Sequence, residues 1–215
     1  MLYEVVDTGN SRSFPAPHAL HEKAAARGDA VVIIGENVAT ALQSLDAREG
    51  RFAILIELGT EALGVHTGES RADEGSNVIG FARFRLGSAE PTALVEVVRQ
   101  PCSSEAAVAA AIEIFEAAGL QVSVCGDFDG RILDRLVRPY YNAALRRLDE
   151  GLATADDLDT TLKLGLGYPE GPIALLERTG LEHHYDVTQA LHEALGDPAY
   201  APARRARVAK ARSRK

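Results

Sequence analysis

The sequence predicts an α/β unit followed by an all-helical unit, and three observations favour this division. Short runs of β-branched residues alternate with helical segments up to about residue 126. The first two runs, Ala30–Gly35 and Phe52–Gly59, are almost continuously apolar, which is typical of strands in a parallel sheet covered on both faces. After Gly130 the apolar residues recur at helical spacing throughout.

The first unit contains three more predicted strands and two predicted helices. Ser104 is a suitable N-cap for the second helix, and Gly119 is suitably placed to end it. A turn-rich connection is expected over Glu61–Ser76. The further strands are Asn77–Phe84, Thr92–Val98 and Gln121–Cys125, and the helices are Asn37–Asp46 and Glu105–Ala118.

The second unit is predicted to consist of four helices. A long helix begins near Ile132 and should be kinked by Pro139. Thr154 and Asp157 form a variant capping box, which starts a helix through Leu162. The other two helices are Pro172–Thr179 and Leu181–Leu195. We therefore divide the chain into an α/β domain over 1–126, a helical domain over 127–203 and a basic tail over 204–215.

Composition and charge restrict the possible functions. Hydrophobic residues make up 46% and charged residues 25%, the usual balance of a soluble globular protein. Neither a membrane span nor a secretory signal is evident, so we expect a cytoplasmic protein. Two cysteines are too few for a disulfide scaffold or a cysteine-built metal site, so we expect no metal centre.

The basic tail contrasts with an acidic body. Seven of the last twelve residues are basic, whereas the rest of the chain carries a net charge of −15. Such a body repels nucleic acid, and none is expected as a partner. We interpret the tail as the solvated end of a helix, with contact to phosphate or a membrane surface as the alternative.

No dinucleotide-binding or nucleotide-binding loop motif is evident in the sequence. Gly165 and Gly167 form the single Gly-x-Gly, but no strand precedes them, and Gly35 is followed by Glu36, whose charge would oppose a phosphate. A structural or solvent-exposed role is favoured for all six histidines, of which His66 alone lies where a site above the sheet could form. Glu96 is unusual inside an apolar strand and either faces solvent or serves a site.

One long segment nevertheless resembles the C-terminal helical domain of the 3-hydroxyacyl-CoA dehydrogenase family. The resemblance is strong from Thr92 to Pro202 and weak from Gly28 to Pro91. It rests on the order and spacing of the Arg135-Leu136 pair, Pro139, Asn142, Asp149-Glu150-Gly151, and the run from Lys163 to Pro172. The resemblance implies a truncated Rossmann-like sheet, a helical dimerisation domain and a homodimer.

The family oxidises 3-hydroxyacyl-CoA with NAD, using a histidine base that a glutamate orients. The resemblance assigns the glutamate to Glu96, but it places the histidine on Ala82, or on Arg83 after a one-residue slip, and arginine cannot act as a base. The family's serine falls near Thr60 and its asparagine on Asp134, so the implied catalytic residues are Glu96, Asp134 and Thr60.

Asn142 is retained and is the implied substrate-binding residue. The strand, glycine loop and helix that hold NAD have no evident counterpart before Ala30, so no cofactor is expected in the isolated chain.

The retained residues also have structural interpretations. Gly165, Gly167 and Pro169 would build a corner between helices, Asn142 would cap or bridge helices, and Asp134 would form a surface pair with Arg138. Three functional hypotheses follow: a degenerate relative that keeps the fold, the dimer and acyl-CoA binding; an active dehydrogenase whose cofactor groove is completed by a partner enzyme chain or by residues 1–28; and a structural dimer module.

Overall fold

The computed structural model describes residues 1–45, 50–69 and 77–214. The chain divides into two compact units. The first comprises residues 1–84 and 91–131, and the second comprises residues 85–90 and the chain from residue 132 onward. The ends of two predicted segments, Asn37–Asp46 and Glu61–Ser76, and the final residue Lys215 lie outside the described residues.

The first unit is built on a six-stranded sheet whose strand order follows the chain order. All neighbouring strands are parallel except the fourth and fifth, which form an antiparallel pair. The strands are β1 (Tyr3–Asp7), β2 (Ala30–Ile34), β3 (Ala53–Glu57), β4 (Val78–Arg83), β5 (Leu94–Arg99) and β6 (Gln121–Gly126). The predicted α/β class and five predicted strands are confirmed, whereas the antiparallel pair was not foreseen.

Helices cover both faces of this sheet because alternate side chains of the central strands point to opposite sides. Val32, Ile34 and Leu55 pack in one apolar cluster, while Val31, Ile33 and Ile54 pack in another. Both faces of the sheet are therefore buried away from solvent, which explains the continuous apolar runs of β2 and β3. The helices of this unit are α1 (Ala19–Glu22), α2 (Val38–Ser44), α3 (Gly64–Thr67) and α4 (Glu105–Ala117).

The strand β1 corrects the expectation that no strand precedes Ala30. Tyr3 to Asp7 pair in parallel with Ala30 to Ile34. Only Tyr3 of this strand is fully buried, because β1 forms an edge of the sheet. An edge strand needs less apolar sequence than a central one, so its five residues gave a weaker signal than β2 or β3.

The second unit is helical, as predicted, and its helix ends follow local capping chemistry. Thr154 Oγ1 accepts a hydrogen bond from the backbone N–H of Asp157 at 3.1 Å, which confirms Thr154 as the N-cap, and its hydroxyl donates to Asp157 Oδ2 at 2.7 Å. The helix it starts extends to Leu166 rather than Leu162, where Gly167 ends it in a left-handed conformation. The helices are α5 (Leu133–Asp149), α6 (Ala155–Leu166), α7 (Pro172–Thr179), α8 (Leu181–Leu195) and α9 (Arg204–Ser213).

The basic segment forms α9, whose inner face packs within the second unit through the buried Ala206. Two of its cations are held by acids of that unit: Arg205 contacts Asp149 and Lys210 contacts Asp186, each at 2.7 Å. In the parts of the chain that the structure describes, no helix combines the length and apolar character needed to cross a membrane.

Candidate functional site

Glu96 is buried in β5 and lies directly opposite Ala82 of β4. The two residues are register partners in the antiparallel pair, and Glu96 is 2% exposed. Directly opposed residues of antiparallel strands point to the same face of a sheet, with their Cβ atoms about 5 Å apart. The position that the resemblance assigns to the histidine therefore lies beside the retained glutamate, and it carries only a methyl group.

Arg131 is the cationic partner of Glu96. Its Nε lies 3.5 Å from Glu96 Oε2, and the two side chains are 5% and 3% exposed. Arg131 Nη2 also donates to the carbonyl oxygen of Gly59 at 2.7 Å. A guanidinium stays protonated under all ordinary conditions, so this buried pair cannot take up a substrate proton at Arg131.

Thr60 lies beside this pair through backbone contacts. Its carbonyl oxygen accepts a hydrogen bond from the N–H of Gly130 at 2.9 Å, which ties the end of β3 to the segment that carries Arg131. Arg131 itself has φ 51°. A non-glycine residue in this left-handed region is strained, and such strain persists only where the surroundings hold it. The turn around Arg131 is thus held against the end of β3.

Arg83, the alternative histidine position, is committed elsewhere. It opposes Val95 rather than Glu96. Its Nη1 donates to Ser13 O at 2.9 Å, and its guanidinium lies 5.1 Å from the ring centroid of Phe14. Arg83 therefore fastens the segment after β1 and does not belong to the Glu96 site.

The pKa of Cys125 depends on the charges of the same region. Burial, and secondarily the negative charge of Glu96, raises the pKa of its thiol to about 11, although the cation Arg131 acts in the opposite direction. A thiol with so high a pKa is almost fully protonated at neutral pH and is a poor nucleophile. Covalent chemistry at Cys125 is not supported.

Open α/β sheets bind ligands outside the carboxyl ends of their strands, and here the carboxyl ends of β2 and β3 border a crevice. Here it holds a cavity of about 290 Å³, whose lining includes Glu36, Glu57 and Glu61 as well as Arg12 and His66. Three carboxylates oppose the charge of a pyrophosphate. His66 does lie above the sheet, as expected, and contacts Glu61 Oε1 at 3.3 Å.

Glu61 keeps its negative charge across the physiological range. Burial favours its neutral acid, but hydrogen bonds from His66 and from the backbone outweigh burial and lower the pKa of Glu61 to about 2. The crevice therefore contains a permanent carboxylate beside the histidine. This arrangement suits a structural contact better than phosphate recognition.

The backbone donors that a pyrophosphate would need are already used. Gly35 N–H donates to Glu57 Oε2 at 2.7 Å. The N–H groups of Glu36 and Asn37, ahead of α2, donate to Gly9 O at 3.0 Å and to Thr8 Oγ1 at 3.1 Å. Since the loop after β1 and Glu57 occupy these donors, the crevice does not fit NAD. No step of a reaction can be derived through that cofactor here.

The second unit places Asp134 and Asn142 in one buried network. Arg138 Nε donates to Asp134 Oδ1 at 2.7 Å, and Arg138 is fully buried. The predicted pair of Asp134 and Arg138 therefore exists, but the expectation that it lies at the surface is wrong. Asp134 and Arg138 are four residues apart and therefore share one face of α5. That face is buried, so the pair is buried as well.

His184 joins this pair to Asn142. Its Nδ1 lies 3.1 Å from Arg138 Nη1, which only donates, so Nε2 carries the proton and donates to Asn142 Oδ1 at 3.0 Å. Burial, followed by the charge of Arg138, lowers the pKa of His184 to about 3. The imidazole is therefore neutral, and the structural role expected for histidines holds for this one.

Asn142 completes the network by contacting the backbone before α9. Its Nδ2 donates to Ala199 O at 3.1 Å, and its Oδ1 also accepts from Ala203 N at 3.4 Å. Both ends of the amide are thus occupied, and the interpretation that Asn142 bridges helices is confirmed. Likewise Gly165 and Gly167 lie at the end of α6, as expected for a helix corner.

The sequence-predicted residues thus fall into two groups, each within its own unit. Glu96 and Thr60 lie around Arg131 in the first unit, and Asp134 and Asn142 lie around His184 in the second. Sequence reasoning missed Arg131 and His184. A charged residue directly after Gly130, and a histidine on the apolar side of α8, were the available signals. No group of three metal-ligating side chains occurs in the described ranges.

An α/β sheet followed in the chain by a helical unit is the architecture that the sequence resemblance implies. The family model of the 3-hydroxyacyl-CoA dehydrogenase C-terminal domain matches residues 130–214. Human mitochondrial hydroxyacyl-coenzyme A dehydrogenase is 37% identical over 100 residues, which is 46% of this chain and 32% of that protein. The 3-hydroxybutyryl-CoA dehydrogenase of Bradyrhizobium diazoefficiens is 36% identical over 109 residues, 51% and 37% of the respective chains.

Solved structures extend the likeness to most of the chain. The (S)-3-hydroxybutyryl-CoA dehydrogenase PaaH1 of Ralstonia eutropha superposes with a TM-score of 0.71 at 25% identity, covering 86% of this chain and 66% of that one. The Escherichia coli 3-hydroxybutyryl-CoA dehydrogenase gives 0.70 at 23% identity, covering 85% and 39%.

Residues 130–214 therefore resemble the C-terminal domain of the 3-hydroxyacyl-CoA dehydrogenases, and the fold of the chain is similar to that of the solved 3-hydroxybutyryl-CoA dehydrogenases. The matched segments span about a third of the lengths of the curated relatives.

Proposed function

We propose that this protein is a non-oxidising relative of the 3-hydroxyacyl-CoA dehydrogenases that binds an acyl-CoA ligand. The observation that carries the proposal is the ion pair between Glu96 and Arg131, opposite Ala82. Oxidation of an alcohol by hydride transfer requires a group that accepts the hydroxyl proton. The buried pair supplies none, because Glu96 is neutralised by a cation that keeps its own proton.

The size of the expected defect is large. Loss of a general base typically costs about 10²–10⁴ in rate. The backbone donors at the ends of β2 and β3 are already occupied, so they cannot hold NAD. The hydride acceptor is therefore lost as well as the base. Residues 1–28, which could have completed a cofactor groove, instead form β1 and the loop that uses those donors. This weighs against the hypothesis of an active dehydrogenase.

Acyl-CoA as the ligand class is supported by the family of the second unit. The relatives that match it are named for hydroxyacyl-CoA and 3-hydroxybutyryl-CoA substrates. Since the residues of that unit retain family identity, we infer that ligand recognition is retained where catalysis is not. The proposal concerns acyl-CoA ligands as a class and specifies no acyl-chain length.

A homodimer of the second unit is the other candidate function, and one observation favours it. Leu136, Leu164 and Leu166 are 68%, 82% and 63% exposed. Large apolar side chains grouped on neighbouring helices favour burial against a partner. We propose that these leucines contribute to a contact with a second copy, either beside ligand binding or as a purely structural module.

Two measurements distinguish these functions. Calorimetric titration with acetoacetyl-CoA should give a dissociation constant in the micromolar range, with free CoA as the control ligand that lacks the acyl group. Sedimentation of wild-type protein and of Leu164→Glu should show a dimer that the variant weakens. A dimer with no heat from acetoacetyl-CoA would leave the structural module as the function, and a monomer that binds would reject the dimer.

A further inference from the structure

Three hydrogen-bond donors converge on the carboxylate of Glu57, the last residue of β3. Ser11 Oγ donates to Oε2 at 2.8 Å, and the backbone N–H of Ser13 donates to Oε1 at 2.6 Å. Gly35 N–H donates to Oε2 at 2.7 Å. Glu57 is 6% exposed. A buried carboxylate is tolerated when several donors satisfy its oxygens, and here the donors form a shaped cradle around it.

The position of this cradle is informative. It lies at the carboxyl ends of adjacent parallel strands β2 and β3, where open α/β sheets bind anionic ligands with backbone N–H groups. Two of its three donors are backbone N–H groups from separate segments. The donor set is therefore of the kind that binds oxyanions, and the occupant is a side chain of the protein itself.

The loop after β1 is packed closely over this site. A Cβ atom at Gly35 would lie 2.4 Å from both Gly9 O and Thr8 Oγ1, so only glycine admits the loop there. Asn10 has φ 55° and donates from Nδ2 to Glu36 Oε1 at 3.0 Å. The glycine at the end of β2 thus makes room for the chain rather than for a phosphate.

We propose that Glu57 acts as an internal ligand that fills an oxyanion-binding cradle formed by Ser11, Ser13 and Gly35. In the wild-type protein the cradle is closed to external anions because the carboxylate already satisfies its donors. Shortening the side chain leaves the donors in place and empties the space between them. The site then takes a small carboxylate or phosphate, of which formate is the nearest match to the deleted group.

The charges around the cradle determine the choice of anion. Arg12 and His66 line the adjoining cavity, but so do Glu36 and Glu61. A singly charged anion is repelled less by these two acids than a doubly charged one. Formate should therefore bind better than inorganic phosphate at equal concentration, and this order separates a specific cradle from a general response to ionic strength.

The experiment compares wild-type protein, Glu57→Ala and Glu57→Gln by thermal unfolding in formate or phosphate at equal concentration, each brought to the same ionic strength with chloride, or in chloride alone. Glu57→Ala should unfold at a lower temperature than wild type and regain roughly 3 °C in millimolar formate, since a ligand that binds only the folded state raises Tm. Glu57→Gln fills the same space with an amide, so neither it nor wild type should respond to formate beyond the chloride control.

Each result decides the proposal. A shift confined to Glu57→Ala and larger for formate than for phosphate supports it. Equal shifts in Glu57→Ala and Glu57→Gln, or no shift in Glu57→Ala, would overturn it. If Glu57→Ala is unfolded in chloride, the proposal requires formate to restore its circular dichroism spectrum, and failure to restore it is likewise a rejection. None of these outcomes depends on acyl-CoA binding.

Discussion

The two units differ in how their buried charged side chains are paired. In the helical unit, Arg138 donates to Asp134 at 2.7 Å, and His184 joins that pair to Asn142. In the α/β unit, Arg131 approaches Glu96 only to 3.5 Å from a strained backbone conformation. The helical network is suited to stability. The pair in the α/β unit is better explained by the proposed loss of a catalytic base, with Arg131 compensating the charge of Glu96.

The same contrast appears in the likeness to known proteins. Sequence identity of 36–37% covers about half the chain, while the fold agrees over 86% of it. A sheet with two apolar faces tolerates many substitutions that preserve volume and pattern. The chemistry at its strand ends depends on single side chains, such as the one at Ala82, and can be lost without loss of the fold.

The largest expected effect is from breaking the helical network. Arg138→Met leaves the carboxylate of Asp134 buried without its cation, which should lower the free energy of unfolding by about 4 kcal/mol. Chemical denaturation measures this change. The matched control is Arg147→Met on the same helix, whose exposed partner is Glu150 and whose loss should have little effect. Equal effects would mean that the buried network contributes nothing special.

Breaking the pair in the α/β unit should cost less. Glu96→Gln leaves Arg131 buried, but its hydrogen bond to Gly59 O remains, so we expect a loss of about 2 kcal/mol. Adding Arg131→Met should recover part of that loss, because no unpaired charge remains. If the double variant is as unstable as the sum of the two single variants, the ion pair is not coupled and the comparison fails.

The helical network should also make stability depend on pH. His184 has a folded pKa of about 3 against about 6.5 when unfolded, so the unfolded chain binds more protons between these values. Stability is fully present above pH 6.5 and falls by roughly 2 kcal/mol by pH 5 on this account. Denaturation of wild type and His184→Gln at both pH values measures it, and an identical pH slope in the two proteins would contradict a neutral buried imidazole.

The smallest effect concerns the thiol beside Glu96. With its pKa raised to about 11, Cys125 has a thiolate fraction at pH 8 roughly a hundredfold below that of an ordinary thiol. Iodoacetamide should therefore label it far more slowly in the folded protein than in urea. Glu96→Gln removes one cause of the raised pKa and should speed labelling; mass spectrometry after timed quenching distinguishes Cys125 from Cys102.

Much of the fold was predictable because its signals are local. The apolar runs of β2 and β3 and the capping residues Thr154 and Gly180 fix their elements by short-range chemistry. β1 was missed because an edge strand shows little burial pattern. The site was harder to predict: the charged residue after Gly130 draws attention to Arg131 but does not indicate that it reaches Glu96, since that contact depends on the packing of a turn against two strands.

We propose that this chain keeps the dehydrogenase fold without NAD-dependent oxidation. The most direct test is calorimetric titration with NADH in saturating acetoacetyl-CoA, followed by absorbance at 340 nm to detect turnover. The account predicts no heat attributable to NADH and no change in absorbance, for wild type and for Ala82→His alike, because the crevice donors stay occupied in both. Micromolar binding of NADH with turnover by the wild-type protein would contradict it.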